Sequence, residues 1–199
     1  ILRNPVDRMF STYSMYRSNG IDTEQDIAKA FEKDYKGYLA GKNARTNYYK
    51  HGLYANQVKY FFDRFPKEKV KIILFEDFIN DTKNVVLERL EYLKLPVMNE
   101  MEFDIWANKA IEGGANKTIR ISRLLIGIIP KCIRNRVPIK IEKFLKTTIR
   151  KKVSSNKQAA GYVKDPALCK EYMEKYIDDI KELEKLIGRD LSIWIDKYS

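Results

Sequence analysis

The sequence predicts an α/β fold, a parallel sheet flanked by helices, with more helix in the C-terminal half. Three observations carry that expectation. Ile1 and Leu2 run straight into Arg3, after which Asn4 and Pro5 turn the chain into a helical pattern from about Val6; a strand edge emptying into a helix reads this way. Val70-Lys71-Ile72-Ile73-Leu74-Phe75 is a short β-branched run ending at Glu76-Asp77, the pattern of a central parallel strand. Apolar residues then recur at helical spacing through Ile119–Ile149 and Leu168–Leu186, which supplies the helices.

In chain order, Pro5 suits a first helical position because its missing N–H would be unpaired there, and Asn4 can cap. The cap and the amides behind it form a place where an anion is welcome. Met9, Tyr13 and Tyr16 recur at spacings of four and three, with Phe10 widening the stripe, so this face is expected to be buried. Arg8 and Ser11 share a more polar face. Ser18-Asn19-Gly20 breaks the helix, and Asp22 or Thr23 can cap a second one through about Phe31, expected on the outside because its apolar positions are few. Tyr35, Tyr38 and Leu39 continue a short helical piece before a loop over residues 41–49.

His51-Gly52-Leu53-Tyr54 opens a helix whose Tyr54, Val58, Phe61, Phe62 and Phe65 form a stripe expected in the core. His51 itself reads as a partly exposed residue at a helix junction rather than a general base. After the Pro66 turn and the strand, Glu76 and Asp77 are adjacent, so their side chains diverge; a capping role fits better than a paired-carboxylate mechanism. Asp81 and Thr82 start a helix closed near Pro96, residues 98–114 are irregular, and Gly113-Gly114 mark a joint. Ser154-Ser155-Asn156 is a linker. Asp165-Pro166 caps a long helix over about Ala167–Ile187, with Leu168, Tyr172, Tyr176, Ile180, Leu183 and Leu186 as its stripe and Gly188 as its stop.

Arg3 stands at the carboxyl end of the first strand, the end at which open α/β sheets bind ligands, and Ser11 follows eight residues later on the returning helix. A guanidinium fork with an added hydroxyl donor suits a phosphate. By spacing alone, a surface Arg and a helix Ser account for the pair equally well.

The run Leu-Arg-Asn-Pro-Val-Asp-Arg-Met-Phe-Ser from Leu2 to Ser11 resembles the 3′-phosphate-binding motif of sulfotransferases that use 3′-phosphoadenosine 5′-phosphosulfate (PAPS). The resemblance implies that Arg3 and Ser11 hold the 3′-phosphate, that Arg8 lies near the same site, and that the fold is P-loop-like. Residues 54–95 resemble the family's helix, Phe-Pro turn, strand, Glu-Asp and following helix. Phe75 falls where some members place an aromatic ring by the adenine, although a plain core role serves as well. Tyr92-Leu93-Lys94-Leu95-Pro96 has Lys94 where the family usually has Gly, so the helix stop is expected to be kept and the glycine turn lost. Leu186-Ile187-Gly188-Arg189-Asp190-Leu191…Trp194 resembles the family's terminal closure, a packing element. Asn116, Lys117, Arg120, Arg123, Leu124 and Leu125 resemble a segment of bacterial members that closes over the nucleotide, which makes Lys117, Arg120 and Arg123 candidate phosphate contacts.

A chain of 199 residues with 44% hydrophobic content is long enough for one well-buried core; a single domain over 1–199 is expected. The net charge of +11 and pI near 9.4 favour anionic partners. Residues 117–157 account for that excess, with thirteen Lys or Arg against one acid, Glu142. This basic helical segment reads as a solvated face over a core stripe, as a contact for anionic lipid, or as the nucleotide-closing element. Aromatics fall on core stripes rather than along a basic groove, so nucleic acid is not an expected partner. Cys132, Cys169 and His51 lack metal spacing, so no metal is expected. No apolar run of transmembrane length and no signal-peptide pattern is present; a cytoplasmic, possible membrane-peripheral or Golgi-lumenal location follows only as an expectation.

By resemblance, the activity is transfer of a sulfuryl group from PAPS to a hydroxyl or amine of a glycan or small molecule. The family's Gly-rich phosphate loop and its catalytic base lie upstream of the motif that here contains Arg3, and no Gly-rich phosphate loop occurs in the sequence. The sequence therefore reads as a fragment of an enzyme, or as a piece that does not catalyse by itself, and it offers no catalytic residue. The alternatives from other classes are a non-catalytic basic module for membrane or nucleic acid, and another nucleotide-binding α/β transferase such as a kinase.

Overall fold

The computed structural model describes residues 1–42, 45–97, 101, 103 and 163–199. The expected joint at 113–114, the basic segment 117–157, the linker at 154–156 and Cys132 lie outside these residues. Seven α-helices occur among them: α1 (Pro5–Ser18), α2 (Ile27–Leu39), α3 (Ala55–Phe62), α4 (Phe75–Asn80), α5 (Thr82–Tyr92), α6 (Pro166–Ile187) and α7 (Ser192–Asp196). The chain divides into two compact units. One takes Ile1–Met9, Tyr49–Asn108 and Lys164–Ser199; the other takes Phe10–Tyr48 and Lys109–Val163.

In the first unit, Leu2 and Leu74 form an isolated parallel bridge. Leu2 N–H donates to the Ile73 carbonyl at 2.8 Å, and Phe75 N–H donates to the Leu2 carbonyl at 2.6 Å. The two predicted strands thus meet in parallel, but the run from Val70 to Phe75 is not a strand here. Only Leu2 pairs with it among the described residues, and at Phe75 the chain already turns into α4. A ladder needs a second pairing neighbour to continue, and α/β as a class rests among these residues on this one bridge.

Glu76 and Asp77 also differ from expectation. They occupy the first turn of α4 rather than capping it, since the N-cap residue is Leu74 with no side-chain bond. Acidic residues still suit that turn electrostatically. Asp77 instead takes a forked pair from Arg189 at 2.6 and 3.3 Å, which lowers its pKa through the Arg189 hydrogen bond.

The core of this unit is the face of α6 that carries Leu168, Tyr172, Tyr176, Ile180 and Leu183, joined by Tyr54, Ala55 and Val58 of the α3 region and by Leu191 and Trp194. The cap at Asp165, Pro166 in the first turn and left-handed Gly188 (φ 66°) bound α6 as the sequence predicts. Asp179 of α6 accepts from the Tyr54 and Ala55 amides at 2.7 and 3.2 Å. It therefore caps α3, whose own N-cap residue Tyr54 offers no side-chain bond. Gly52 is fixed by close approach: a Cβ there would stand 2.6 Å from the Tyr176 hydroxyl, which donates to the Tyr49 carbonyl. The predicted α3 stripe is only half right. Phe61 and Phe65 are each 51% exposed; the buried residues of α3 are Ala55 and Val58, and Phe65 lies beyond its end at Phe62.

α5 begins on its predicted Asp81 cap. At its end Lys94 adopts φ 54°. Its N–H reaches the Glu91 carbonyl at 2.9 Å and the Leu95 N–H reaches Leu90 at 2.8 Å, a full Schellman closure. The turn expected to be lost is kept, with a lysine in left-handed backbone. Because that conformation is costly for a residue with a Cβ, Lys94→Gly is expected to stabilise the protein by about 1 kcal/mol, net of glycine's chain entropy. Urea midpoints would show this; an unchanged or lower midpoint counts against strain at the turn.

In the second unit, Phe10 and Tyr13 meet Phe31, with ring centroids 5.3 and 5.9 Å apart, and Tyr48 closes the cluster on Phe31 at 5.4 Å. α2 is capped by Asp26, not Asp22 or Thr23, and it runs on to Leu39. The Asp22 carboxylate is engaged elsewhere, accepting from the Tyr48 hydroxyl at 2.7 Å. Burial, reinforced by Asp22, pushes the Tyr48 hydroxyl far above its ordinary pKa. α2 is not an outer helix either, since Ala30, Phe31 and Asp34 are buried. No helix among the described residues is long and apolar enough to cross a membrane.

Candidate functional site

The bridge between Leu2 and Leu74 sets the next residues of the two segments beside each other. Arg3 and Phe75 follow the bridging pair, and the Arg3 guanidinium lies over the Phe75 ring, 4.6 Å from its centroid. The Tyr54 hydroxyl donates to the Arg3 carbonyl at 3.0 Å. One residue further on, the Asn4 N–H points at Glu76 Oε1, 3.4 Å away. Arg3 makes no ion pair and no side-chain hydrogen bond among the described residues, which leaves its donors uncommitted.

The charges of Arg3 and Arg8 both act on Tyr54. Burial raises the Tyr54 hydroxyl to about 12, and the positive field of Arg8 and of Arg3 opposes that rise. Arg8 Nη1 is buried without a hydrogen-bond partner, as is Glu76 Oε2. Ser11 is exposed on α1 and belongs to the second unit. Lys117, Arg120 and Arg123 lie outside the described residues. Among the described residues no group of three or more His, Cys, Asp or Glu could hold a metal ion.

The start of α1 is not the anion site its sequence suggests. Asn4 Oδ1 accepts from the Val6 and Asp7 amides at 3.0 and 3.2 Å, so the first free donors are spent on the cap. Asp7 itself places a buried carboxylate there. The Val6 and Asp7 amides are therefore not open to an anion, which leaves side chains as the donors in this region.

Asp7 was invisible as a structural centre. Lys164 donates to its Oδ1, Lys197 to its Oδ2 at 2.7 Å, and the Tyr198 hydroxyl to Oδ1 at 2.7 Å. Burial alone would raise this carboxyl, but the two lysines and the tyrosine outweigh it and hold the pKa at about 2. Asn4 makes the companion tether: its Nδ2 donates to the Trp194 carbonyl at 3.0 Å. Partners 157 to 191 residues away leave no local mark in the sequence.

A family model described as "Sulfotransferase domain" matches residues 1–114, more than half of the 199 residues. The chain belongs to the sulfotransferase family. It is also similar to a solved sulfotransferase from Alicyclobacillus acidocaldarius, with a TM-score of 0.58 at 25% identity over 97% of this chain and 55% of that one. The chain thus spans about half the length of that sulfotransferase. No curated protein matches the sequence. Arg3, Arg8, Ser11, Tyr54 and Phe75 all fall inside the stretch that matches the sulfotransferase model, whereas Lys117, Arg120 and Arg123 fall beyond it.

Proposed function

We propose that this chain is the part of a sulfotransferase that holds the 3′-phosphate of PAPS, in an enzyme that sulfates a hydroxyl or amine of a glycan or small molecule. The observation that carries this reading is Arg3: it lies within the stretch matched by the sulfotransferase model, with its guanidinium over Phe75 and paired to no carboxylate among the described residues. A guanidinium fork with a hydroxyl suits a phosphate, and the resemblance of residues 2–11 to the family's motif implies that this phosphate is the 3′-phosphate of PAPS. By resemblance to the family's motif, Arg3 and Ser11 are the donors to it and Arg8 adds positive charge.

In sulfuryl transfer the acceptor oxygen forms a bond to sulfur as the bond from sulfur to the bridging phosphate oxygen breaks, and the acceptor proton passes to a base. The bridging oxygen gains negative charge as it leaves, so the reaction needs cations there and a firmly held donor. Arg3 and Ser11 serve the holding task. The base and the phosphosulfate-binding loop are assigned to no residue of this sequence.

Adenosine 3′,5′-bisphosphate is expected to raise the melting temperature, while adenosine 5′-phosphate does so much less. Arg3→Ala or Ser11→Ala should abolish the difference; Ser11 is exposed, so its loss leaves the fold intact. Equal stabilisation of the unaltered protein by both nucleotides would rule this reading out.

A further inference from the structure

We infer that Phe75 is a positioning residue for Arg3, presenting its guanidinium to the nucleotide's 3′-phosphate; the inference rests on the reading above. The register of the chain makes the contact. Leu2 bridges Leu74 in parallel and Phe75 N–H donates to the Leu2 carbonyl, so the residues that follow on each segment, Arg3 and Phe75, emerge side by side. The ring then lies beneath the guanidinium at 4.6 Å, within the range in which the negative face of an aromatic attracts a cation. Tyr54 fixes the same residue from its other end by donating to the Arg3 carbonyl.

The physical consequence follows from what this contact does not use. A carboxylate partner would neutralise Arg3 and occupy its donors, whereas an aromatic face holds the cation and consumes no N–H. A long side chain free in solvent must be ordered when it grips an anion; one already resting on a ring has lost much of that freedom beforehand. Among the described residues Arg3 is therefore pre-ordered and unspent, and Phe75 is the residue that orders it.

The test separates this role from packing and from contact with the base. Affinities for adenosine 3′,5′-bisphosphate and adenosine 5′-phosphate are measured by calorimetry on the full chain, on Phe75→Leu, on Phe75→Tyr, and on protein with pentafluorophenylalanine placed at position 75. The fluorinated ring keeps the shape of Phe75 and reverses its quadrupole, so it reports even if Phe75→Leu fails to fold. The preference for the bisphosphate should fall about five- to tenfold with Leu and with the fluorinated ring, and should be retained with Tyr. If both nucleotides weaken equally, so that the preference is unchanged, Phe75 touches only the shared part of the ligand and the inference is wrong while the proposed function stands. If the unaltered protein shows no preference, the proposed function fails and takes this inference with it.

Discussion

Asn4→Ala is expected to cost about 3 kcal/mol of stability, because one buried side chain is used twice. Its oxygen satisfies the Val6 and Asp7 amides, and loss of such a cap costs about 1 kcal/mol. Its amide donates to the Trp194 carbonyl inside the protein, and a buried carbonyl left without a partner adds about 1–3 kcal/mol. Asn4→Asp separates the two roles. Aspartate caps as well as asparagine, but it cannot donate, and it would aim a carboxylate at a carbonyl beside buried Asp7. Both variants should therefore lower the urea midpoint substantially. An aspartate variant as stable as the unaltered protein would show that the tether to Trp194 contributes nothing and that capping is the whole role.

The second large effect is a pH dependence centred on Asp7. Its folded pKa of about 2 lies below the ordinary value of 3.8, so the ionised carboxylate is what the fold stabilises. The contribution is present in full above the ordinary carboxylate range, and it is lost as pH falls from there through about 2. The shift corresponds to about 2 kcal/mol, and with the side chain only 5% exposed solvent screening removes little of it. Asp7→Asn should destabilise by about that amount at pH 7 and by almost nothing near pH 2. Denaturation at the two pH values tests it; an equal loss at both would assign the effect to shape rather than charge. Lys164→Met should raise the Asp7 pKa in the same protein and move the acid transition to higher pH.

These two residues adjoin the proposed anion site, which gives them a bearing on function. Asn4 follows Arg3 directly, and its two tethers hold the start of α1 against the closure around Trp194. The same closure carries Arg189, whose pair with Asp77 is exposed on both sides and is expected to matter little.

Asn4, Pro5, Asp81, Asp165 and Gly188 announced helix ends correctly because capping is chemistry between near neighbours. The Arg3–Ser11 spacing and its family resemblance were legible for the same reason, since a motif is a local pattern. The cap of α2 was misplaced because Asp22 was drawn away by Tyr48, a residue 26 positions distant. The apolar stripe of α3 runs further in periodicity than in burial, because periodicity counts apolar residues without knowing which of them meet a partner. Lys94 shows the reverse case, in which the closing bonds imposed a backbone that the residue type argued against.

By itself the sequence determined the helix boundaries set by caps, the charge and the family, all of which are carried by composition or by residues near each other in the chain. Only the tertiary structure decided that Asn4 and Asp7 are tethering centres, that the start of α1 has no amide to spare for an anion, and that Arg3 rests on Phe75. Those facts depend on partners brought together from distant parts of the chain, and a buried polar group takes whichever partner folding delivers to it because leaving it unpaired costs more than either local alternative.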